Sequence, residues 1–345
     1  MLPQATTHKI LIIGATGNVG RRVIELILTR QLASPETLVL LASPHSAGKK
    51  LQILGQDFLV QSADDWVFSA NDIAIFNTES DISARFVPLA LDAGAYVIDS
   101  SSYFRLDPSV PLIVPPVNQD LICLDQKLYA HANCLASPIS IVLAPLHRLL
   151  GIHSVNAVTY QSTSGAGKQA MDECVEETKA LITSTPYQRK QFSRQIAFNV
   201  IPQVGEIRED GYTFEEYKII HEIKKVIGQE IAITSTAVRV PVIIGHSIAL
   251  TIRFSQAYTL AQIMSCLQQA PQIKISELDY ATPTEIVGTD QVHVGRIRRD
   301  LSAENSLHLW LCSDNLRRGA ATDAIEILST LLDRMTQEKA SRHVA

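Results

Sequence analysis

Apolar runs of strand length recur through the first third of the chain, each followed by a stretch with helical spacing. HKILIIG (8–14) reads as a buried strand, and RRVIELILTRQL, from Arg21, places its apolar residues on one helical face. LVLLA (38–42), DIAIF (72–76), AYVID (95–99) and LIVPPV (112–117) read as further strands, with a helix over 83–93. Strands alternating with helices predict a parallel sheet with helical crossovers, an α/β fold. Later, FEEYKIIHEIKKVIG (214–228) is helical, with Ile219, Ile223, Val226 and Ile227 as its apolar stripe, and AVRVPVIIGHSIALTIRF (237–254) reads as two apolar strands joined at a glycine. No repeat, low-complexity tract or linker marks a boundary, so a division near Cys134 rests on the change of pattern alone.

Composition narrows the partners. The chain has 345 residues, 46% hydrophobic and 19% charged, which suits two globular domains. A net charge of -5, from 30 basic and 35 acidic residues, gives no electrostatic footprint for nucleic acid or an anionic membrane. Five cysteines without CxxC spacing argue against a disulfide framework and a zinc site, so no metal is expected. The N-terminus has no secretory pattern and no apolar run reaches membrane-spanning length, which predicts a cytoplasmic protein.

Two regions carry candidate chemistry. The first is GATGNVG, where Gly14, Gly17 and Gly20 lie between a strand and a helix and allow backbone amides to approach a phosphate; the alternative is an ordinary helix-capping turn. No acidic residue ends LVLLA. Ser43, His45, Ser46, Lys49 and Lys50 follow instead, which leans towards a 2'-phosphate and hence NADP, although the two lysines read equally as a solvated pair. The second region begins at Cys134, in LYAHANCLASPISIVLAPL. Ser137 and Pro138 read as N-cap and first helical residue of the next helix, whose dipole would favour a thiolate. A buried structural cysteine is the competing reading. His246 reads as an acid/base or a hydrogen-bonded core histidine, while Arg239 needs a partner in its apolar setting. Glu215 and Lys218 read by default as a solvated pair, and TYQSTSGAGKQAMDE as a glycine-containing turn that brings backbone close to a ligand.

These residues sit in an ordered series of motifs: GATGNVG, AYVIDSSSYFRLDPSVPLIVPPVN, NC, TYQSTSGAGKQAMDE, IAFNVIPQ, GYTFEEYK, VRVPVIIGHS, VGRIRRD and SDNLRRGAAT. In this series the chain resembles the aspartate-β-semialdehyde dehydrogenase family. The resemblance implies a Rossmann-type NADP-binding domain over 1–133, an α+β catalytic and dimerisation domain over 134–320, a C-terminal helix over 321–345 that returns to the first domain, and a homodimer. It makes Cys134 the nucleophile, Asn133 its neighbour that orients the carbonyl, Gln161 the residue that positions the acyl intermediate, and His246 the acid/base. It gives Arg239 the substrate carboxylate, Glu215 the ammonium, and Lys218 with Arg105 the phosphate. To the cofactor it gives Gly14, Ala15, Thr16, Gly17, Asn18, Val19, Gly20, Ser43, His45, Ser46, Ser164, Gly165 and Asn315.

The implied reaction is reductive dephosphorylation of L-aspartyl-4-phosphate to L-aspartate-4-semialdehyde and phosphate through a Cys134 thioester, a step in amino-acid biosynthesis from aspartate. Amides at the helix start, with Asn133, are expected to hold the tetrahedral oxyanion. The chain departs from the family pattern at Asn77 to Asp81, which puts Glu79 and Asp81 where a small glycine loop is usual. It also departs at His45, Ala132, Leu135 with Ala136, and Asp323. A paralogue that keeps the fold without turnover is the rival reading.

Overall fold

The computed structural model describes residues 8–276 and 279–344; the start of the N-terminal segment searched for a secretory pattern, residues 1–7, lies outside them. The chain divides into two compact units, one running from Asn133 to Gly319 and the other made of the residues on either side.

The first unit is built on a sheet of eight strands, β1 (Lys9–Ile13), β2 (Leu38–Ala42), β3 (Lys50–Ile53), β4 (Gln56–Ser62), β5 (Asp72–Phe76), β6 (Tyr96–Asp99), β7 (Leu112–Ile113) and β8 (Leu128–His131). Their order is β3-β4-β2-β1-β5-β6-β8-β7. All pairs are parallel except β3 with β4. The central strands are buried on both faces, which is why they read as unbroken apolar runs. Helices α1 (Asn18–Thr29) and α2 (Ser80–Asp92) follow β1 and β5. Chain order reverses between β2 and β5 about β1, the position at which open α/β sheets bind ligands.

Two segments differ from expectation. LIVPPV is a strand only over Leu112–Ile113; Pro115 and Pro116 open a helical turn, α3 (Pro115–Asn118), because proline lacks the N–H a ladder needs but suits the first helical position. The hairpin β3–β4 was not foreseen. Leu51, Ile53, Phe58 and Val60 alternate with exposed residues along it, and Leu54 and Gly55 turn with φ of 50° and 78°, the paired left-handed residues of a tight hairpin.

The second unit carries a six-stranded sheet of β9 (Ile152–Gln161), β10 (Ala232–Arg239), β11 (His246–Phe254), β12 (Ile273–Ile275), β13 (Val292–Arg299) and β14 (Ser306–Ser313), in the order β10-β9-β11-β14-β13-β12. With it go α4 (Ala136–Leu150), α5 (Lys168–Ile182), α6 (Phe214–Ile227), α7 (Leu260–Gln268) and α8 (Pro283–Ile286). The two strands of AVRVPVIIGHSIALTIRF do not pair with each other. They flank β9, β10 parallel to it and β11 antiparallel. This register sets Arg239 opposite Gln161 and His246 opposite Ser313, so four polar strand ends meet at one end of the sheet. After a π-helical turn at Arg317–Ala321, α9 (Thr322–Val344) rejoins the first unit, where Ala324, Ile325, Leu328 and Leu331 share a core with Ile10 and Ile12.

Candidate active site

Asn133 organises the turn that carries Cys134. Its Oδ1 accepts from Leu135 N at 2.7 Å and Ala136 N at 3.1 Å, and its carbonyl accepts from Ser137 N at 3.0 Å. The asparagine thereby caps α4, and this corrects the reading of Ser137 as N-cap and Pro138 as first helical residue, since both lie inside the helix. Asparagine suits the task because its side-chain oxygen reaches orphan amides at a helix start. The same bonds correct the expected oxyanion site: the Leu135 and Ala136 amides are already engaged. Cys134 is half-buried, beside the fully buried Leu135 and Ala136.

Helix α6 grips Asn133 twice. Glu215 Oε1 accepts from Asn133 Nδ2 at 2.8 Å, and Glu222 Oε2 accepts from Asn133 N at 2.6 Å. The two carboxylates are two helical turns apart and so share a face. Glu222, with no exposed surface, is a site residue that sequence reading missed; its spacing of seven from Glu215 was the available signal. Helix α6 does bury Ile219 and Ile223, but the same face also takes Glu215 and Glu222 inward. The Glu215–Lys218 pair forms at 2.6 Å and is not the solvated pair expected, because Glu215 is buried. Burial pushes the Glu215 carboxyl upward, but the Lys218 ammonium, Asn133 and Arg239 outweigh it and hold the group at about 2. Glu215 is therefore an anion at neutral pH.

At that end of the sheet Arg239 and His246 are both buried. Arg239 Nη1 donates to Ser162 O at 2.7 Å. Burial lowers the guanidinium pKa, while the nearby Glu215 and Cys134 raise it. Gly165 lies against the same pair: a Cβ there would stand 3.1 Å from Arg239 Nη1 and 3.1 Å from His246 Cε1. Gln161, also buried, places its amide 3.4 Å from Thr159 Oγ1. Ser162 N donates to His246 Nδ1 at 3.0 Å, and Ser164 Oγ donates to Asn315 Oδ1 at 2.9 Å. Burial first, and Arg239 second, lower the His246 pKa to about 3.

A neutral buried histidine makes folding sensitive to acid. Below its unfolded pKa near 6.5 the unfolded chain binds a proton that the native ring refuses, so stability falls with pH by about 1.4 kcal/mol per unit. His131 of the first unit, lowered to about 4 by burial and Arg105, acts likewise over a narrower window. Denaturant titrations between about pH 6.5 and 4 should show His246→Gln with a slope shallower by close to one proton. Parallel slopes in variant and parent would refute the assignment.

Gly319 presses on the turn that carries Cys134. A Cβ at this position, where φ is 75°, would stand 2.5 Å from Cys134 Cα and 3.0 Å from Asn133 O. No side chain fits.

In the first unit, the turn after β1 fits a dinucleotide phosphate. A Cβ on Gly14, which has φ of 81°, would meet Asn77 O at 2.3 Å, and one on Gly20 would meet Gly14 O at 2.3 Å. Backbone therefore lines the turn at the start of α1, with Ala15, Thr16, Gly17, Asn18 and Val19 in it. Ser43 and His45 are exposed and Ser46 half-buried, around the short turn Pro44–Ser46. Glu79 and Asp81 are exposed at the N-terminus of α2, where the helix dipole favours negative charge. Arg105 is buried and donates to Ser100 O at 2.6 Å. Ser164, Gly165 and Asn315 belong to the second unit, within the surroundings of His246. Among the described residues no helix is long and apolar enough to cross a membrane.

A glycine-turn nucleotide sheet and a separate unit that carries thiol, imidazole, guanidinium and carboxylate side chains are the parts of a dinucleotide-dependent dehydrogenase. The family model "Semialdehyde dehydrogenase, NAD binding domain" matches residues 9–124, and "Semialdehyde dehydrogenase, dimerisation domain" matches residues 143–318. An aspartate-semialdehyde dehydrogenase of Rickettsia bellii is 40% identical over 94% of this chain and 98% of its own length. The crystal structure of aspartate semialdehyde dehydrogenase II of Vibrio cholerae complexed with ASA matches with a TM-score of 0.91 at 37% identity, over 94% of this chain and 98% of that one. A Candida albicans aspartate semialdehyde dehydrogenase structure with NADP shares the fold, with a TM-score of 0.74 at 23% identity over 94% and 99% of the two chains. The chain belongs to the aspartate-semialdehyde dehydrogenase family, and its first unit is a nicotinamide-dinucleotide-binding domain.

Proposed function

We propose that this chain reduces L-aspartyl-4-phosphate to L-aspartate-4-semialdehyde with release of phosphate, using NADPH and a Cys134 thioester, as a homodimer serving amino-acid biosynthesis from aspartate. One observation carries the reading: inside one unit Asn133, the neighbour of Cys134, bonds to Glu215, while Arg239 and His246 both bond to Ser162 and both lie against Gly165. Their charges match the substrate group by group. Glu215, ionised, takes the α-ammonium, and the Arg239 guanidinium takes the α-carboxylate, for which its planar fork is shaped. Lys218, partly exposed beside Glu215, takes the phosphate in this reading, and so does Arg105, each on the role its motif implies.

With the substrate's amino-acid end so held, the Cys134 thiolate attacks the β-carbonyl and phosphate leaves with the C–O bonding pair. A thioester results, in which the carbonyl is activated and cannot diffuse away. Gln161 bounds the acyl group. Gly14 to Gly20, with Ser43, His45 and Ser46 towards a 2'-phosphate, would hold the dinucleotide, which would supply the hydride. In the resulting hemithioacetal anion the oxygen pair re-forms the C=O bond as the C–S bond breaks, which releases the aldehyde and regenerates the thiolate. Dimerisation is supported by the matched dimerisation domain and by exposed Ile182, Phe198, Val200, Ile207 and Phe214 on the second unit.

The test runs the reaction backwards. Purified protein with L-aspartate-4-semialdehyde should reduce NADP faster than NAD, and only with phosphate present. Folded protein that reduces neither would overturn the reading in favour of a noncatalytic paralogue. Glu215→Gln should lower kcat/KM by about 100-fold, chiefly through KM, because a charge-assisted bond to the ammonium is lost. An unchanged value would rule out a substrate with a free amine.

A further inference from the structure

The hydrogen bonds around His246 fix its protonation as well as its place. A backbone N–H only donates, so Nδ1, which faces Ser162 N at 3.0 Å, is an acceptor and the proton of the neutral ring lies on Nε2. Nε2 is buried and has no hydrogen-bond partner among the described residues. Ser162 is itself held: its Oγ lies 3.1 Å from Asn315 Oδ1 and 3.0 Å from His246 Nδ1, and its carbonyl takes Arg239 Nη1. Asn315 Oδ1 also accepts from Ser164 Oγ at 2.9 Å and from Gly245 N, the amide preceding His246, at 2.9 Å. One amide oxygen thus ties together both chain segments that flank the ring.

We propose that Ser162 and Asn315 are positioning residues that keep the His246 proton on Nε2, so that the imidazole meets the reacting substrate oxygen as a neutral hydrogen-bond donor. This rests on the dehydrogenase reading above. It also gives Asn315 a task other than the cofactor contact its motif implies. An imidazolium needs a proton on Nδ1, aimed at the Ser162 N–H. Arg239 opposes that charge and Glu215 favours it; Ser162, Ser164 and Asn315 are neutral. As the C–S bond forms, the carbonyl π pair moves onto oxygen and the Nε2–H bond to it strengthens while the proton stays on nitrogen. His246 is neither oxidised nor reduced.

Nitrogen-15 NMR of the full chain with bound dinucleotide tests this, with His246 signals assigned by their loss in His246→Gln. From about pH 6 to 8 the ring should show one protonated nitrogen, Nε2, and one acceptor, Nδ1, without titration. An imidazolium or an Nδ1–H pattern at neutral pH would overturn the proposal. Asn315→Leu should lower kcat about 30-fold with KM within about threefold, and should bring a second His246 tautomer into the spectrum, whereas Asn315→Asp, which keeps the acceptor, should recover most of kcat. Equal losses in the two variants with unaltered His246 signals would also overturn it. Inactive parent protein would refute the dehydrogenase reading alone, because the spectrum reports the tautomer without turnover.

Discussion

Cys134→Ala is expected to fold like the parent and to lose phosphate-dependent dinucleotide reduction by about 10^4-fold or more in kcat. Removal of a covalent nucleophile leaves only binding and orientation, which cannot split one difficult step into two easier ones. The side chain is half-buried, and its truncation should cost no more than about 1 kcal/mol of stability. Turnover followed by nicotinamide absorbance, beside thermal unfolding, reads both. A destabilised protein with its specific activity intact would return Cys134 to the role of a structural cysteine.

The second large effect is predicted far along the sequence from the thiol. Gly319→Ala adds one methyl carbon where Cys134 Cα would be 2.5 Å away, in a left-handed conformation that alanine adopts at a cost. Because the obstacle is backbone on both sides, the turn that carries Cys134 must itself shift. The expected loss is about 2–4 kcal/mol in stability, and about 100-fold in kcat for a displacement near 1 Å. Crystallography of the variant should find Cys134 moved and Glu222 still on α6. A variant with parental activity would show that the turn yields freely, and the capping by Asn133 would then not fix the thiol.

Much of the fold was legible because physics wrote it locally. Parallel strands buried on both faces leave unbroken apolar runs, so β1, β2 and β5 stand out in the sequence. The β3–β4 hairpin was overlooked because its alternation is short and its turn pairs a leucine with a glycine, a weak turn signature. The start of α4 misled for another reason. Ser137 followed by Pro138 carries the composition of a helix start, yet Asn133, four residues earlier, reaches the amides first. Local propensity cannot rank two caps when tertiary contacts orient one of them.

The candidate site was legible in its parts and opaque in its connections. Cys134, Arg239 and His246 drew attention because thiol, charge and imidazole interrupt apolar segments. Glu222 did not, since a glutamate in a charged helix reads as solvated until the packing of α6 is known. Likewise nothing in SDNLRRGAAT announces that Asn315 bonds to the residues around His246 or that Gly319 abuts Cys134. Those links join segments 70 or more positions apart, and a single sequence carries no signal for them.

Asn133 leaves evolution almost no room. Its amide gives a proton to one carboxylate and lends its oxygen to two amides, so a replacement must donate and accept at once, from a side chain of one length. Aspartate would keep the acceptor and set a second negative charge against Glu215; glutamine would carry the amide a methylene too far; serine would fall short of one partner or the other. The position is confined to a single amino acid by three hydrogen bonds, and neutral drift around this thiol must pass it by.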